Sequence, residues 1–261
     1  LSFLDIQCNV FNGAAELYDK IRPGYPDEII EEVLSFASMT SDSRILEIGC
    51  GTGQLTAPLA KRGFSITALD RGSALVEIAR KNCRQFPNAK IINSAFEDWN
   101  NDDSEFDLFV SAQAFHWIDP KYGIKRAAEL LNNNGAIALI WNTQRRSETT
   151  EFWQATNPIY EKYNPVTSAK PHPLEWSIDQ YRRELESSDQ FENPIEFSKQ
   201  WSIMYSHDEY IMLLNTYSDH ITIPEPQKSA FFGEISDVIM KMGGEVERLY
   251  ETLTIVARVR R

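Results

Sequence analysis

The sequence predicts an α/β fold: a doubly wound, mostly parallel sheet of seven strands, with a helical cap inserted after the fifth strand. Three observations carry this expectation. Residues 45–54 read as a buried strand (Ile45, Leu46, Ile48), a glycine-rich turn (Gly49, Gly51, Gly53) and the start of a helix. From Arg44 to Trp141, apolar strand-like runs alternate regularly with helix-like segments, as in a parallel sheet whose crossovers are helices. From Asn142 the pattern gives way to an aromatic, charged and proline-bearing stretch, too long for a plain connection.

Composition narrows the function classes. The chain has 261 residues, of which 42% are apolar and 25% charged, enough for one α/β domain plus an insertion. Its net charge of −12 disfavours nonspecific polyanion binding, because phosphate contacts rely on clustered Lys and Arg; no nucleic-acid partner is expected. Three cysteines, Cys8, Cys50 and Cys83, lack C-x-x-C spacing, so neither a disulfide framework nor a metal site is expected, and a reducing, cytoplasmic compartment fits. No apolar run reaches the ~18 residues of a membrane-spanning helix, and the N-terminus lacks the basic start and apolar centre of a signal peptide. Nothing here sets an oligomeric state.

The elements follow in order. Pro23 and Pro26 stop a first helix at about Ile21. A second starts at Asp27, the expected N-cap, with Ile29, Ile30, Val33, Leu34 and Phe36 apolar. The first strand ends on Gly49, Gly51 and Gly53, which permit positive φ and close approach of a ligand to the backbone. A helix over 55–62 leads to a second strand ending at Asp70, 17 positions after Gly53. A carboxylate at that strand tip can accept hydrogen bonds from both hydroxyls of a ribose or cap the next helix, although Ser73 is the expected cap of a helix over 73–86. Strands are expected at 89–92, 105–110 and 136–141, with a helix over 120–131 between the last two. Beyond them come the cap, a core helix at 177–188, a sixth strand at 195–205, cap helices at 208–217 and 226–242, and a last strand at 247–259. The chain thus divides into an N-terminal half, 1–142, and a half holding the cap and the last helices and strands, 143–261.

The run Glu47, Gly49, Gly51, Gly53 resembles the first motif, E-x-G-x-G-x-G, of the class I S-adenosylmethionine-dependent methyltransferases. It fits the dinucleotide fingerprint G-x-G-x-x-G less well, because Gln54 stands where the third glycine belongs. Residues 18–26 resemble the Y-D-x-x-R-P-x-Y-P segment of one branch of small-molecule methyltransferases, where it lies over the cofactor as a lid. Phe106, Asp107 and Leu108 resemble that family's fourth strand. Ala112 to Trp117 fit A-x-x-x-H-W, similar to a subgroup that includes trans-aconitate methyltransferase-like enzymes. Leu131, Gly135 and Ala136 fit its L-x-x-x-G-A turn into the fifth strand. The resemblance covers about residues 11–142.

The resemblance implies a Rossmann-like fold whose last strand runs antiparallel between the fifth and sixth, and S-adenosyl-L-methionine as cofactor, leaving as S-adenosyl-L-homocysteine. Implied cofactor residues are Tyr18, Arg22, Glu47, Gly49, Cys50, Gly51, Gly53, Gln54, Asp70, Arg71, Ser94, Ala95, Phe96, Gln113, Ala114 and Phe115. Implied substrate residues are Tyr25, Trp117, Trp141 and Arg145. Asp107 would anchor the cofactor loop. Several roles stay open. Residues 18–26 are either a lid or a proline-fixed lead-in whose tyrosines pack. Phe96 either stacks on adenine or belongs to the core.

Methyl transfer from a sulfonium is an in-line displacement that needs alignment and exclusion of water. His116 is the catalytic candidate: an imidazole can take a proton from an alcohol, phenol or amine near neutral pH. It could equally orient the cofactor loop or the substrate. A carboxylate acceptor would need no base but would need cations, and Arg22, Arg145 and Arg146 are the candidates; the last two could also be a solvated pair. The expected function is methylation of a small molecule, at a carboxylate or hydroxyl. The rivals are a nicotinamide-dependent oxidoreductase and a catalytically idle S-adenosylmethionine-binding protein. The N/D-P-P-Y/F motif of amino-group methylation of DNA bases is missing after the fourth strand, as is a Pro-Cys nucleophile pair.

Overall fold

The computed structural model of the chain describes residues 15–100, 106–144, 150–163 and 173–260. Its centre is a seven-stranded sheet in the order β3-β2-β1-β4-β5-β7-β6. The strands are β1 (Arg44–Ile48), β2 (Ser65–Asp70), β3 (Ala89–Asn93), β4 (Phe106–Ala112), β5 (Leu131–Gln144), β6 (Ile195–Ser206) and β7 (Glu245–Arg258). β1 to β5 pair in parallel, and β7 runs antiparallel between β5 and β6, as expected.

Burial explains the apolar runs. In β1 and β4 nearly every residue is buried, because helices cover both faces of the sheet and no position is left for alternation. One face carries α2 (Asp27–Phe36), α3 (Thr56–Lys61) and part of α4 (Ser73–Asn82), packed through Ile29, Ile30, Val33, Leu59 and Ala79. The other carries α5 (Pro120–Leu130) and α7 (Pro173–Ser187), packed through Ile124, Ala127, Tyr181 and Leu185 on Phe109, Leu139 and Trp141. β6 is the edge strand and is mostly exposed.

Local chemistry sets the helix ends, and three differ from expectation. Asp27 is the first residue of α2 and Pro26 holds the cap position; the Asp27 carboxylate instead pairs with Arg62 at 2.8 Å. Likewise Gly72, and not Ser73, caps α4. α5 begins as its sequence suggests: Asp119 accepts a hydrogen bond from Tyr122 N, with Pro120 at the first turn. α4 ends at Asn82, sooner than expected.

The remaining helices form the cap. They are α1 (Ala15–Ile21), α6 (Glu151–Tyr163), α8 (His207–Leu214), α9 (Ser218–Ile221) and α10 (Gln227–Lys241). Ile21, Trp153, Tyr160, Leu213, Phe231 and Ile235 join Tyr205 and Tyr250 from the sheet in an apolar cluster of their own. α8 starts on a capping box, in which Ser206 and Glu209 each hold the other's backbone N–H. The cap thus draws on three separated segments of the chain, and α1, from the N-terminal half, belongs to it. No helix of the described residues is long and apolar enough to cross a membrane.

Asp107 lies at the opposite edge from the one expected. Its Oδ2 accepts the Arg44 N–H and its Oδ1 accepts the Asn132 side-chain amide, each at 2.7 Å. It therefore ties β1, β4 and the turn into β5 at the amino edge of the sheet, away from the glycine loop. Asp107→Ala is expected to lower stability by about 2 kcal/mol, the range for two charge-assisted bonds, as read from urea unfolding, while ligand binding at the carboxyl edge is unchanged.

Candidate active site

At the carboxyl edge of β1 the chain turns through Gly49, Gly51 and Gly53, with φ of +74°, +57° and +94°. This left-handed region favours glycine. Gly49 N and Cys50 N both donate to Leu69 O, at 2.8 and 3.0 Å, which fastens the turn to the end of β2. A Cβ on Gly49 would stand 2.1 Å from Ala114 Cβ, so the segment after β4 presses on the turn with no room for a side chain.

Asp70 joins two loops. Its Oδ2 accepts Gly51 N at 2.9 Å and its Oδ1 accepts Gly72 N at 2.7 Å. Burial raises its pKa, and the two backbone donors oppose that shift. Beneath it Glu47 is 1% exposed and accepts the Thr56 hydroxyl at 2.7 Å. Burial is the main reason its carboxyl is pushed up to about 7, and the nearby Asp70 charge adds to it.

Beside the turn lies a cleft open at the carboxyl edge. Gly49 and Gly51 form one wall, and Asp70, Arg71, Gly72 and Leu75 another. Ser94, Ala95, Phe96 and Glu97 come from the end of β3. Gln113, Ala114, Trp117 and Ile118 come from the segment after β4, and Tyr18 reaches over from α1. Phe96 is nearly buried and packs edge-on against Phe109 and Tyr122, at centroid distances of 5.6 and 5.9 Å. It is both core and cleft wall.

Gln113 is held in a positive-φ conformation of 58°, uncommon for a residue with a Cβ and typical of functional sites. Its backbone N–H donates to Ile140 O, its side-chain amide donates to Asn142 O, and its Oε1 is buried. Gln113 Oε1, Thr52 Oγ1 and Gln54 Nε2, all around the glycine turn, have no hydrogen-bond partner among the described residues. Buried polar atoms are normally paired, so these mark where a polar ligand completes the structure.

Several expected site residues lie off the cleft. Phe115 has no exposed surface and packs on Phe109 and Tyr181. Trp141 is also fully buried, stacked on Tyr181 under the sheet; both are core residues, because their place in the pleat aims them at α5 and α7. Cys50 is buried with its thiol pKa raised by burial. Gly53 faces Cys83 and Ala79, and Tyr25 packs against the α2 side of the core. Arg22 bonds Thr216 in the cap. Arg145 and Arg146 lie outside the described residues.

His116 sits in a single turn of 3-10 helix, Phe115–Trp117. Its ring lies 4.7 Å from that of Trp117, and its Nδ1 is buried without a partner among the described residues. Burial pushes its pKa down to about 4. Leu75, Gly72, Glu97 and Ile118 complete the cleft and were not anticipated as ligand contacts. Glu97 carried a signal, an acid just past the end of β3; Leu75 read only as part of the apolar side of a helix.

The comparisons agree with this geometry. Residues 45–135 match the family of methyltransferase domains. An uncharacterized methyltransferase of Mycobacterium tuberculosis (strain ATCC 25618 / H37Rv) is 30% identical over 176 residues, covering 64% of this chain and 70% of that one. The chain belongs to the class I S-adenosylmethionine-dependent methyltransferases. This methyltransferase is also 29% identical over 160 residues to the malonyl-[acyl-carrier protein] O-methyltransferase of Paenibacillus sp. (strain JDR-2), covering 58% of this chain and 57% of that one. Among solved structures, phosphoethanolamine N-methyltransferase 2 of Haemonchus contortus, in complex with phosphomonomethylethanolamine and S-adenosylhomocysteine, superposes with a TM-score of 0.60 at 13% identity. That match covers 100% of this chain and 61% of the other, and it shows the fold alone.

The methyltransferase uses S-adenosylmethionine, and the cleft fits it: a side-chain-free turn, a carboxylate, an apolar wall and the orphaned side-chain oxygen of Gln113 line one continuous groove. Glu47 yields a test of the loop's electrostatics. Its raised pKa means the folded chain holds a proton that the unfolded chain releases at lower pH. The associated stability is present below about 4.5 and lost as pH rises through about 7. Glu47→Gln, which keeps the Thr56 bond, is expected to be more stable than the parent above pH 7 by roughly 3 kcal/mol. Urea midpoints of the ligand-free proteins across that range check this.

Proposed function

We propose that this methyltransferase acts on a small-molecule acceptor, bound where the cofactor cleft meets the helical cap, and methylates it at a carboxylate or hydroxyl. The observation that carries the reading is the cap itself. It is an aromatic cluster built from α1, α6, α8, α9 and α10, and its α1 extends Tyr18 over the cleft. Such a cover suits an acceptor small enough to be enclosed, and enclosure excludes water from the transfer. The resemblance of residues 18–26 to one branch of small-molecule methyltransferases, and of residues 112–117 to a subgroup that includes trans-aconitate methyltransferase-like enzymes, supports the same reading.

In this reading residues 1–142 supply the lid and the cofactor half, and 143–261 the cap and the acceptor side. S-adenosylmethionine supplies an electrophilic methyl on a sulfonium. Asp70 takes the ribose hydroxyls on the lone pairs left by Gly51 and Gly72. Gly49, Gly51, Gln113 and Tyr18 hold the amino-acid end, and Ser94, Ala95, Phe96 and Glu97 hold the adenine. Trp117 and Tyr18 present aromatic surface that favours a cation. His116, neutral because it is buried, orients the acceptor through its unpartnered Nδ1 or accepts its proton.

The direct test is transfer of a labelled methyl group from S-adenosylmethionine into a small-molecule extract. Label appearing only in protein or nucleic acid would sink the reading; a product lost in mild base would identify an ester, and hence a carboxylate acceptor. Asp70→Ala is expected to weaken S-adenosylhomocysteine binding at least ~tenfold, on the order of 1.4 kcal/mol, by calorimetry; unchanged affinity would remove Asp70 from the ribose site. With its pKa near about 4, His116 stays neutral through the physiological range. The kcat/KM profile should therefore show no inflection near ~6.5, and one there that vanishes in His116→Gln would contradict the burial argument.

A further inference from the structure

One buried charge in the cap has no carboxylate partner among the described residues. Arg248, on β7, is 5% exposed. Its Nη2 donates to Gln144 Oε1 at 2.7 Å and its Nη1 to the Tyr210 hydroxyl at 3.4 Å. Its Nε is buried and has no partner among the described residues. Around the guanidinium stand the rings of Tyr217, Tyr250 and Tyr210, at 5.2, 5.5 and 5.7 Å. These rings favour a cation but do not neutralise it. No carboxylate among the described residues pairs with Arg248. Asp219, the acid on α9, stands 3.7 Å from His220 Nε2.

A second arginine shares the same ring. Arg22 lies 4.1 Å from the Tyr217 centroid and 5.0 Å from that of Tyr18, and Tyr18 lines the cofactor cleft. Among the described residues Arg22 also bonds neutral groups, the hydroxyl and carbonyl of Thr216, at 2.8 and 2.9 Å. The topology explains the meeting. β7 is antiparallel to its neighbours, so its first residues, Arg248 among them, lie at the carboxyl edge of the sheet, beside the cleft. A buried ion left uncompensated is strongly unfavourable, and an anion of matching shape removes the cost.

We propose that Arg248, with Arg22 across the Tyr217 ring, binds a carboxylate group of the acceptor. The acceptor is then a small organic acid, its carboxylate meeting the planar guanidinium fork and its body lying toward Tyr18 and the cofactor. This rests on the small-molecule reading above and adds the chemical class. Arg248 is a binding residue here and takes no part in bond making.

The test measures carboxylate binding apart from methyl transfer. Protein saturated with S-adenosylhomocysteine is titrated with acetate, succinate and benzoate, and with acetamide, succinamide and benzamide as uncharged counterparts, following the thermal midpoint. The carboxylates should raise the midpoint of the parent and the amides should not. Arg248→Gln should weaken carboxylate binding at least ~tenfold while S-adenosylhomocysteine affinity stays within about twofold, and Arg248→Lys should fall between. Equal responses to carboxylates and amides, or full carboxylate binding by Arg248→Gln, would overturn the inference. The carboxylate–amide comparison uses the parent alone and so holds even where a variant fails to fold. Labelled methyl transfer confined to acceptors without a carboxylate would remove this role of Arg248 and leave the small-molecule reading standing. Transfer to macromolecules alone would remove both.

Discussion

The carboxylate of Asp70 governs the geometry of the carboxyl edge. By accepting Gly51 N with one oxygen and Gly72 N with the other, it sets the glycine turn and the start of α4 in one relative position. Ala114 presses on Gly49 from one side, and Tyr18 lies over Gly51. The cleft is therefore defined chiefly by backbone, and its shape follows from where four strands, β1 to β4, end. A carboxylate in that place does two things at once, since its remaining lone pairs face the groove it has just shaped.

Much of this was legible in the sequence because it is local. The spacing of Gly49, Gly51 and Gly53, the acid at the tip of β2 and the polar residue Gln113 past β4 all mark strand ends, and in a parallel sheet strand ends converge on one edge. What escaped depends on direction and distance. Phe115 and Trp141 sit at the right edge, but the pleat turns their side chains into the core. Asp107 sits on the right strand but at its wrong end. Arg248 carries no local mark of enclosure, standing beside Glu247 and near Glu245 and Glu251 in the sequence. The pairing of Gln144 with Tyr250 and the folding of α8 and α10 over β7 reveal that it is enclosed.

The two sides of the site follow different rules. The cofactor side relies on main-chain donors and residues without bulk, which leave little to vary without losing the turn. The cap side relies on long side chains from separated segments, Arg22, Tyr210, Tyr217 and Arg248, each supported by a different element. Such a wall can change its chemistry one residue at a time while the sheet beneath stays the same. The matched family region, residues 45–135, lies in the sheet and its covering helices and includes none of the cap helices.

The position of β7 imposes an order on synthesis. It is made after the other described strands, yet it lies between β5 and β6 in the sheet. Until residue 245 is made, β6 has no ladder partner and the outer edge of β5 is open, a surface that invites pairing with other chains. The cofactor-binding strands β1 to β4 have all their neighbours long before that. A nascent chain can thus complete the edge formed by β1 to β4 well ahead of its cap side, and loss of β7 would leave β6 adrift from the sheet.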